Sequence, residues 1–174
     1  LRIFTDCSAS GVGVQLASTT GGLIGLFMVN TWPSNALFVK TVAAYNDGSW
    51  HHILVQYDGS EDVSGVGVFI DGVEAPLTVA YNSLSASIAN SVSSRIGARS
   101  DGYGYWAGDI SDLRVYSTVL TQSQIKQVMN DTPFGISINE KTSKMIMESR
   151  PDDGLVLWNK LGNPHEVEHS EVGP

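Results

Sequence analysis

Short runs of β-branched and aromatic residues, separated by Gly, Asn, Asp and Ser, occupy most of the chain before residue 117. Short strands with frequent turns are typical of antiparallel sandwiches and barrels. The candidate strands are residues 1–5, 12–17, 23–29, 36–41, 50–57, 66–70, 73–79, 94–98 and 109–116. The sequence therefore predicts an all-β fold, an antiparallel sandwich or barrel.

The alternation of apolar and polar residues is clearest in residues 50–79. Val66, Val68 and Ile70 fall on one face of a predicted strand, because successive side chains in a strand point to opposite faces. Asp71 and Gly72 follow directly and supply the positive φ angles of a tight hairpin turn. We expect residues 50–79 to form three consecutive antiparallel strands.

One segment has the pattern of a helix. Thr121 can cap the first turn, and Gln124, three residues later, completes a capping box. Leu120 and Ile125 have the spacing of a hydrophobic staple. We expect a short helix that begins at Thr121 and ends before Pro133.

Size and charge exclude several classes of partner. The chain has 174 residues, of which 42% are hydrophobic, and this length is sufficient for one substantial core. Its net charge of −8 argues against nucleic acid or an anionic membrane as the main partner. The most apolar run, residues 21–29, is too short to span a bilayer, so no membrane insertion is expected.

Cys7 is the single cysteine and is expected to be a buried apolar side chain.

Three segments together carry a family resemblance. SWHHILVQYDGS (49–60) and GVGVFIDGVE (65–74) resemble the central hairpin of laminin G-like domains. SRIGARSDGYGYWAGDISDLRVYSTVLTQSQIKQVM (94–129) is similar to the closing section of the same family. Three motifs in the right order are far more specific than one. The resemblance covers residues 1–129 and implies a concanavalin A-like jelly roll of the pentraxin-like lectin superfamily, with one short C-terminal helix.

The resemblance divides the chain into two predicted regions. Residues 1–131 are predicted to form the laminin G-like jelly-roll domain, without the family's usual opening strands. Residues 132–174 are predicted to be a polar linker with one extra strand, because DDGLVLWNKLGNP (152–164) resembles the opening strand of such a domain. That strand either begins a following module or fills the position left at the front, within the chain or by exchange between chains. We favour a following module.

An aromatic loop is the main candidate for ligand binding. Tyr103, Tyr105 and Trp106 are separated by glycine and small residues, and Asp101 supplies a carboxylate beside them. Flat rings can stack on the apolar faces of sugars, while a carboxylate accepts hydrogen bonds from hydroxyls. The alternative is that Trp106 belongs to the core. Trp32, beside Pro33, is a second candidate for ligand contact.

Four carboxylates are candidates for a calcium site. Asp58 and Asp62 lie in DGSED, which presents oxygen ligands at alternate positions. Asp101 and Asp109 flank the aromatic loop, and the resemblance implies calcium at loop carboxylates in some lectins of this type. The alternative is that these are solvated turn residues. Apart from calcium, no cofactor is expected.

The case for an enzyme is poor. Glycosidases need paired carboxylates, and the close pair Glu166 and Glu168 lies in a polar tail. His165 and His169 complete an H-E-x-x-H pattern typical of zinc hydrolases, but no third ligand follows it. We predict no catalytic residues.

Two functions remain open. The first is a non-catalytic module that binds glycans or a surface receptor, within a larger extracellular or virion-surface protein such as an adhesin or fibre. The second is a purely structural module that packs against neighbouring subunits of an assembly. Both rest on analogy with proteins of similar architecture.

Overall fold

The computed structural model describes residues 1–99, 103–130, 136–139, 144–147 and 155–159. These residues form antiparallel strands, one α-helix and a short 3₁₀ turn at Val63–Gly65. The helix is α1 (Gln122–Asn130). The strands are β1 (Arg2–Cys7), β2 (Gly13–Ser18), β3 (Leu23–Thr31), β4 (Asn35–Ala44), β5 (Ile53–Tyr57), β6 (Val66–Ile70), β7 (Val73–Glu74), β8 (Leu77–Asn82), β9 (Arg95–Ile96), β10 (Leu113–Tyr116), β11 (Ile136–Asn139), β12 (Lys144–Met147) and β13 (Leu155–Asn159).

The larger of two main sheets has six strands in the order β8-β4-β3-β2-β1-β9, and the smaller has three in the order β5-β6-β7. Every pairing between these strands is antiparallel. Strands β10 and β13 form one two-stranded sheet, and β11 and β12 form another. The predicted fold class, an antiparallel β-sandwich with one short helix, is confirmed.

The chain divides into two compact units. The first contains residues 1–108 and 119–129, and the second contains residues 109–118 and 130–174. Strand β10 therefore belongs to the second unit, where Val115 is paired with Leu157 of β13. The extra strand predicted within residues 152–164 thus has a partner in the same chain. The predicted boundary between the two regions stays a prediction.

A shared face of β3 and β4 forms the centre of the core. Leu26 is paired with Val39 and Met28 with Leu37, so these four side chains project to one face of the sheet. All four are buried. Every residue of β6 in the smaller sheet is buried as well. Removal of this apolar surface from water is the main favourable contribution to folding.

One predicted strand is wrong. Residues 73–79 were expected to form a single strand, but β7 ends at Glu74 in the three-stranded sheet and β8 begins at Leu77 in the six-stranded sheet. Pro76 lies between them, and a proline has no N–H to donate to a strand ladder. The chain therefore changes sheets at the proline.

The predicted strand of residues 50–57 is shorter than expected. Strand β5 begins only at Ile53, so Trp50, His51 and His52 precede it. Trp50 is 69% exposed and does not contribute to the core.

The predicted turn and helix cap are both confirmed. Asp71 and Gly72 have φ angles of 52° and 75°, as the hairpin turn requires. The Thr121 amide donates a hydrogen bond to Gln124 Oε1 at 2.8 Å, and the Gln124 amide donates to Thr121 Oγ1 at 3.4 Å. These reciprocal bonds form the capping box that starts α1.

Helix α1 is fastened to the three-stranded sheet. Gln122 Nε2 donates a hydrogen bond to the carbonyl oxygen of Gly72 at 2.6 Å, and the Leu120 amide donates to Gln56 Oε1 at 3.2 Å. Leu120 and Ile125 are both buried. Among the described residues, no helix has the length and apolar character needed to cross a membrane.

Truncation of Leu37 tests the position of the core. This side chain is fully buried, so Leu37→Ala should lower the free energy of unfolding by about 2–5 kcal/mol, measured by urea titration. Val42, on the same strand, is 61% exposed, and Val42→Ala should change the free energy by less than about 0.5 kcal/mol. Equal losses in the two variants would contradict the assignment of the core.

Candidate functional site

One row of side chains crosses all six strands of the larger sheet. Direct cross-strand partners in an antiparallel sheet project to the same face. Neighbouring strands lie about 4.8 Å apart, so a row of this kind spans roughly 24 Å. This cross-strand row consists of Arg95 on β9, Thr5 on β1, Gln15 on β2, Phe27 on β3, Phe38 on β4 and Tyr81 on β8.

The centre of the row is a stacked pair of rings. The ring centroids of Phe27 and Phe38 are 3.9 Å apart and their planes differ by 13°. A Cβ atom added to Gly25 would lie 3.1 Å from Phe38 Cε2 and 3.4 Å from Phe27 Cε2. The glycine therefore leaves the space that the stacked rings occupy.

Trp32 extends the aromatic surface. It follows β3 in the turn to β4, and its ring centroid lies 6.1 Å from that of Phe27 and 6.2 Å from that of Phe38. It also makes an edge-on contact with Tyr81 at 4.8 Å between centroids. Trp32 is 48% exposed and Tyr81 is 38% exposed. Together with the stacked phenylalanines they form what we call the aromatic platform: Phe27, Trp32, Phe38 and Tyr81.

Arg2 borders the aromatic platform. Its guanidinium carbon lies 5.8 Å from the centroid of the Phe27 ring, and its Nε donates a hydrogen bond to Gln15 Oε1 at 2.8 Å. A cation over an aromatic face is attracted by the ring's quadrupole. Beside these residues is an open depression of about 370 Å³, lined by Leu1, Arg2, Ser18, Thr19, Thr20 and Phe27.

The predicted aromatic loop lies next to Arg2. The Arg2 amide donates a hydrogen bond to the carbonyl oxygen of Gly104 at 2.8 Å, and the Arg99 amide donates to that of Tyr103 at 3.0 Å. Tyr103 is 73% exposed and Tyr105 is 64% exposed. Backbone bonds thus hold the loop at the start of β1, with two tyrosines in solvent.

The other predicted ligand residues have different surroundings. Trp106 is half-buried, and its amide donates a hydrogen bond to the carbonyl oxygen of Gly97 at 2.7 Å. Asp101 lies outside the described residues.

The structure brings Trp32 together with Phe27, Phe38 and Tyr81, three residues that sequence reasoning did not select. Their strands were predicted, but a row of this kind becomes visible only when the strand order and register are known.

Asp58 and Asp62 are engaged with their own loop. Asp58 Oδ1 accepts a hydrogen bond from the Ser60 amide, and hydrogen bonds from Ser60 lower the pKa of Asp58. Asp62 accepts hydrogen bonds from the Ser64 amide at 2.8 Å and from Asn82 Nδ2 at 2.9 Å. The bond from Asn82 is the largest cause that lowers the pKa of Asp62 to about 2. A calcium ion here would compete with bonds already made.

Asp109, the fourth candidate for calcium, is exposed. Within the described part of the chain, no group of three or more His, Cys, Asp or Glu side chains could hold a metal ion. The H-E-x-x-H pattern at 165–169 falls outside that part. Calcium binding stays a prediction, which a comparison of unfolding midpoints in calcium and in EDTA can test.

The model of one protein family, described as the concanavalin A-like lectin/glucanases superfamily and of laminin G type, matches residues 2–126. The chain belongs to this superfamily. The match confirms the family suggested by the three motifs. Searches among curated proteins and among solved structures gave no match.

The superfamily's description names both lectins and glucanases, and carboxylates distinguish the two activities. Glycoside hydrolysis by the usual mechanism needs two carboxyl groups on opposite sides of the scissile bond. Among the described strands, Asp6 on β1 and Glu74 on β7 are the carboxylate residues, and they belong to different sheets. Neither lies on the aromatic platform.

His51 is part of a structural contact elsewhere in this domain. Its Nδ1 lies 2.8 Å from Asp71 Oδ2 and its Nε2 lies 3.1 Å from Asp47 Oδ1. The hydrogen bond with Asp71 is the largest cause that raises the pKa of His51 above 6.5. The imidazole thereby joins the loop before β5 to the turn between β6 and β7.

Protonation of His51 should stabilise the domain. Because its folded-state pKa is raised, the added stability is fully present below the unfolded-state value of about 6.5 and is lost as pH rises through the folded-state value. The free energy of unfolding of the wild type minus that of His51→Gln should therefore decrease between about pH 6 and pH 8, measured by urea titration. A difference that stays constant over this range would contradict the account.

Proposed function

We propose that this domain is a non-catalytic carbohydrate-binding module and that the aromatic platform is its ligand surface. The observation that carries the proposal is the pair of part-exposed rings, Trp32 and Tyr81, which contact each other beside the stacked Phe27 and Phe38. A glycan on a surface receptor would be bound in the same way as a free one.

The platform has the physical properties that sugar binding needs. Large flat rings offer apolar contact area at a small cost in conformational entropy. Trp32 is also held by contacts with Phe27 and Phe38, so little order has to be gained when a ligand binds. Sugar rings have apolar faces that can stack on the indole, while their hydroxyls remain available to polar neighbours.

Polar groups suited to the hydroxyls of a sugar border the platform. Arg2 lies between the platform and the loop that carries Tyr103 and Tyr105, and its Nε donates a hydrogen bond to the buried Gln15. We propose that Tyr103 and Tyr105 contact the part of an oligosaccharide that extends beyond Arg2.

The absence of catalysis is part of the same proposal. Its support is that the described strands of the six-stranded sheet carry a single carboxylate, Asp6, whereas hydrolysis needs two. We further propose that the module acts at an extracellular or virion surface. The support for this location is the resemblance to laminin G-like lectin domains.

Replacement of Trp32 tests the platform. Glycan-array screening of the wild type, in calcium and in EDTA, should identify bound glycans. Trp32→Ala should then weaken binding of the strongest of them by at least about fivefold, measured by isothermal titration calorimetry. The reason is that an aromatic side chain covered by the ligand contributes more than about 1 kcal/mol to binding. Trp32→Phe keeps a ring and should retain part of the affinity.

Trp50→Ala is the matched control, because Trp50 is exposed and lies outside the six-stranded sheet. It should bind the same glycan as the wild type does. Circular dichroism and unfolding midpoints confirm that each variant is folded. An array without signal in either condition would refute the proposal, and concentration-dependent self-association of the same sample would favour a structural module instead.

A further inference from the structure

Strand β8 departs from regular pairing with β4 at one residue. Val79 is paired with Val39, and the next pairing joins Tyr81 to Phe38 and skips Ala80. One extra residue on one strand of an antiparallel pair forms a β-bulge, which disrupts the ladder locally and can redirect a side chain. Ala80 is therefore the bulged residue of β8.

The bulge decides which face of the sheet Tyr81 occupies. In a regular ladder that continued from Val79, Tyr81 would be the partner of Leu37. Leu37 is fully buried on the aliphatic face, so Tyr81 would lie on the side away from the platform. With the bulge, Tyr81 shares a face with Phe38, and its ring centroid lies 4.8 Å from that of Trp32. The aromatic platform therefore depends on the bulge.

Burial does little to hold β8 in this register. Every residue from Thr78 to Asn82 is exposed, and β8 is an edge strand, with no described strand on its outer side. Register is strongly specified where one face of a strand is buried, and weakly specified elsewhere. A regular ladder would also avoid the local loss of pairing at a bulge. Contacts other than burial must therefore maintain the bulged register.

Asn82 makes contacts that require the bulge. It is the cross-strand partner of Leu37, so its side chain projects to the face opposite the platform. Asn82 Nδ2 donates a hydrogen bond to Asp62 Oδ2 at 2.9 Å, and Asn82 Oδ1 accepts one from the Val63 amide at 3.1 Å. Asp62 and Val63 lie at the start of the 3₁₀ turn between β5 and β6. In a regular ladder Asn82 would face the platform side and would lose both bonds.

We propose that Asn82 is a positioning residue of the aromatic platform. By bonding to Asp62 and Val63 on one side of β8, it fixes the register that puts Tyr81 against Trp32 on the other side. The inference rests on the proposed function for its consequence, which is that ligand affinity depends on a side chain that the ligand does not touch.

The acceptor of this contact is ionised and held in place. The hydrogen bond from Asn82 is the largest cause that lowers the pKa of Asp62 to about 2, so Asp62 is a carboxylate at neutral pH. Hydrogen bonds to an ionised group are stronger than those between neutral groups. The Ser64 amide also donates to Asp62, at 2.8 Å. The 3₁₀ turn thus offers Asn82 a fixed, charged acceptor.

Ser83 continues the same register with its main chain. Its amide donates a hydrogen bond to the carbonyl oxygen of Ala36 at 2.9 Å, one residue beyond the pairing of Asn82 with Leu37. This bond does not involve the side chain of Asn82 and can persist when Asn82 is replaced. A variant of Asn82 should therefore weaken the platform and not abolish it.

The test measures the register with and without the bond to Asp62. Asn82→Asp removes the amide donor and sets a second carboxylate against Asp62. We expect the nuclear Overhauser effects (NOEs) between the rings of Trp32 and Tyr81 to weaken. Binding of the glycan identified by array screening should weaken by at least about twofold. Asn46→Asp makes the same change in an exposed loop after β4 and should leave both measurements unchanged.

Two rescues show whether the register is the cause. Asp62→Asn combined with Asn82→Asp exchanges donor and acceptor, so the hydrogen bond can form with its roles reversed. Deletion of Ala80 makes the pairing of Tyr81 with Phe38 part of a regular ladder, which no longer needs Asn82. In each background, the NOEs and the glycan affinity should be restored although Asn82→Asp is present.

Unchanged NOEs in Asn82→Asp would overturn the inference, and so would losses that neither rescue restores. If Asn82→Asp does not fold, Asn82→Ala adds no charge and replaces it, with the deletion of Ala80 as its rescue. Unfolding of both variants would make Asn82 a residue of general stability and would also overturn the inference. If the NOEs respond as expected while the wild type binds no glycan, the positioning role stands and the proposed function fails.

Discussion

The register of the six-stranded sheet is the constraint on which the candidate site depends. Phe27 is paired with Phe38, and Phe38 with Tyr81, so one face of the sheet collects rings from three strands. A shift of one residue in any of these pairings would move that strand's side chains to the opposite face. The register is itself held by the buried face, because Leu26 and Val39 would have to leave the core in a shifted pairing.

This constraint divides the sheet into two chemically different faces. On β3 and β4 one face is aliphatic and buried, whereas the other carries the half-buried stacked rings of the aromatic platform. On β1 and β2 the platform's face is covered, because Thr5 and Gln15 are buried. Among residues 1–99, no strand carboxylate lies on the face of the six-stranded sheet that carries the aromatic platform. Trp32 and Tyr81 are the exposed rings of the platform, so substitutions at these two positions should change affinity more than folding.

The features of the fold that depend on local sequence were predictable. The hairpin turn at Asp71 and Gly72 and the capping box of Thr121 and Gln124 follow from residue types at fixed spacings, and the structure contains both. The change of sheets at Pro76 does not follow from hydrophobicity, because apolar residues lie on both sides of the proline, and only the proline itself argues against a continuous ladder.

The candidate site was harder to predict because its residues are distant in sequence. Tyr81 reaches Phe38 only because β8 pairs with β4, across more than 30 intervening residues. Alternation within each strand shows that two faces exist, but it does not show which residues of different strands meet. Trp32 was selected from its type and its loop position, whereas its contacts with Phe27, Phe38 and Tyr81 required the pairing.

A titration followed by two-dimensional ¹H–¹⁵N NMR tests the central claim most directly, since it locates bound ligand on the sheet. With the glycan identified by array screening as probe, the account predicts that the indole resonance of Trp32 and the amides of β3, β4 and β8 shift together. The indole of Trp50 and the amides of β5 and β6 should stay in place. Shifts confined to Trp50 and the three-stranded sheet would contradict the account.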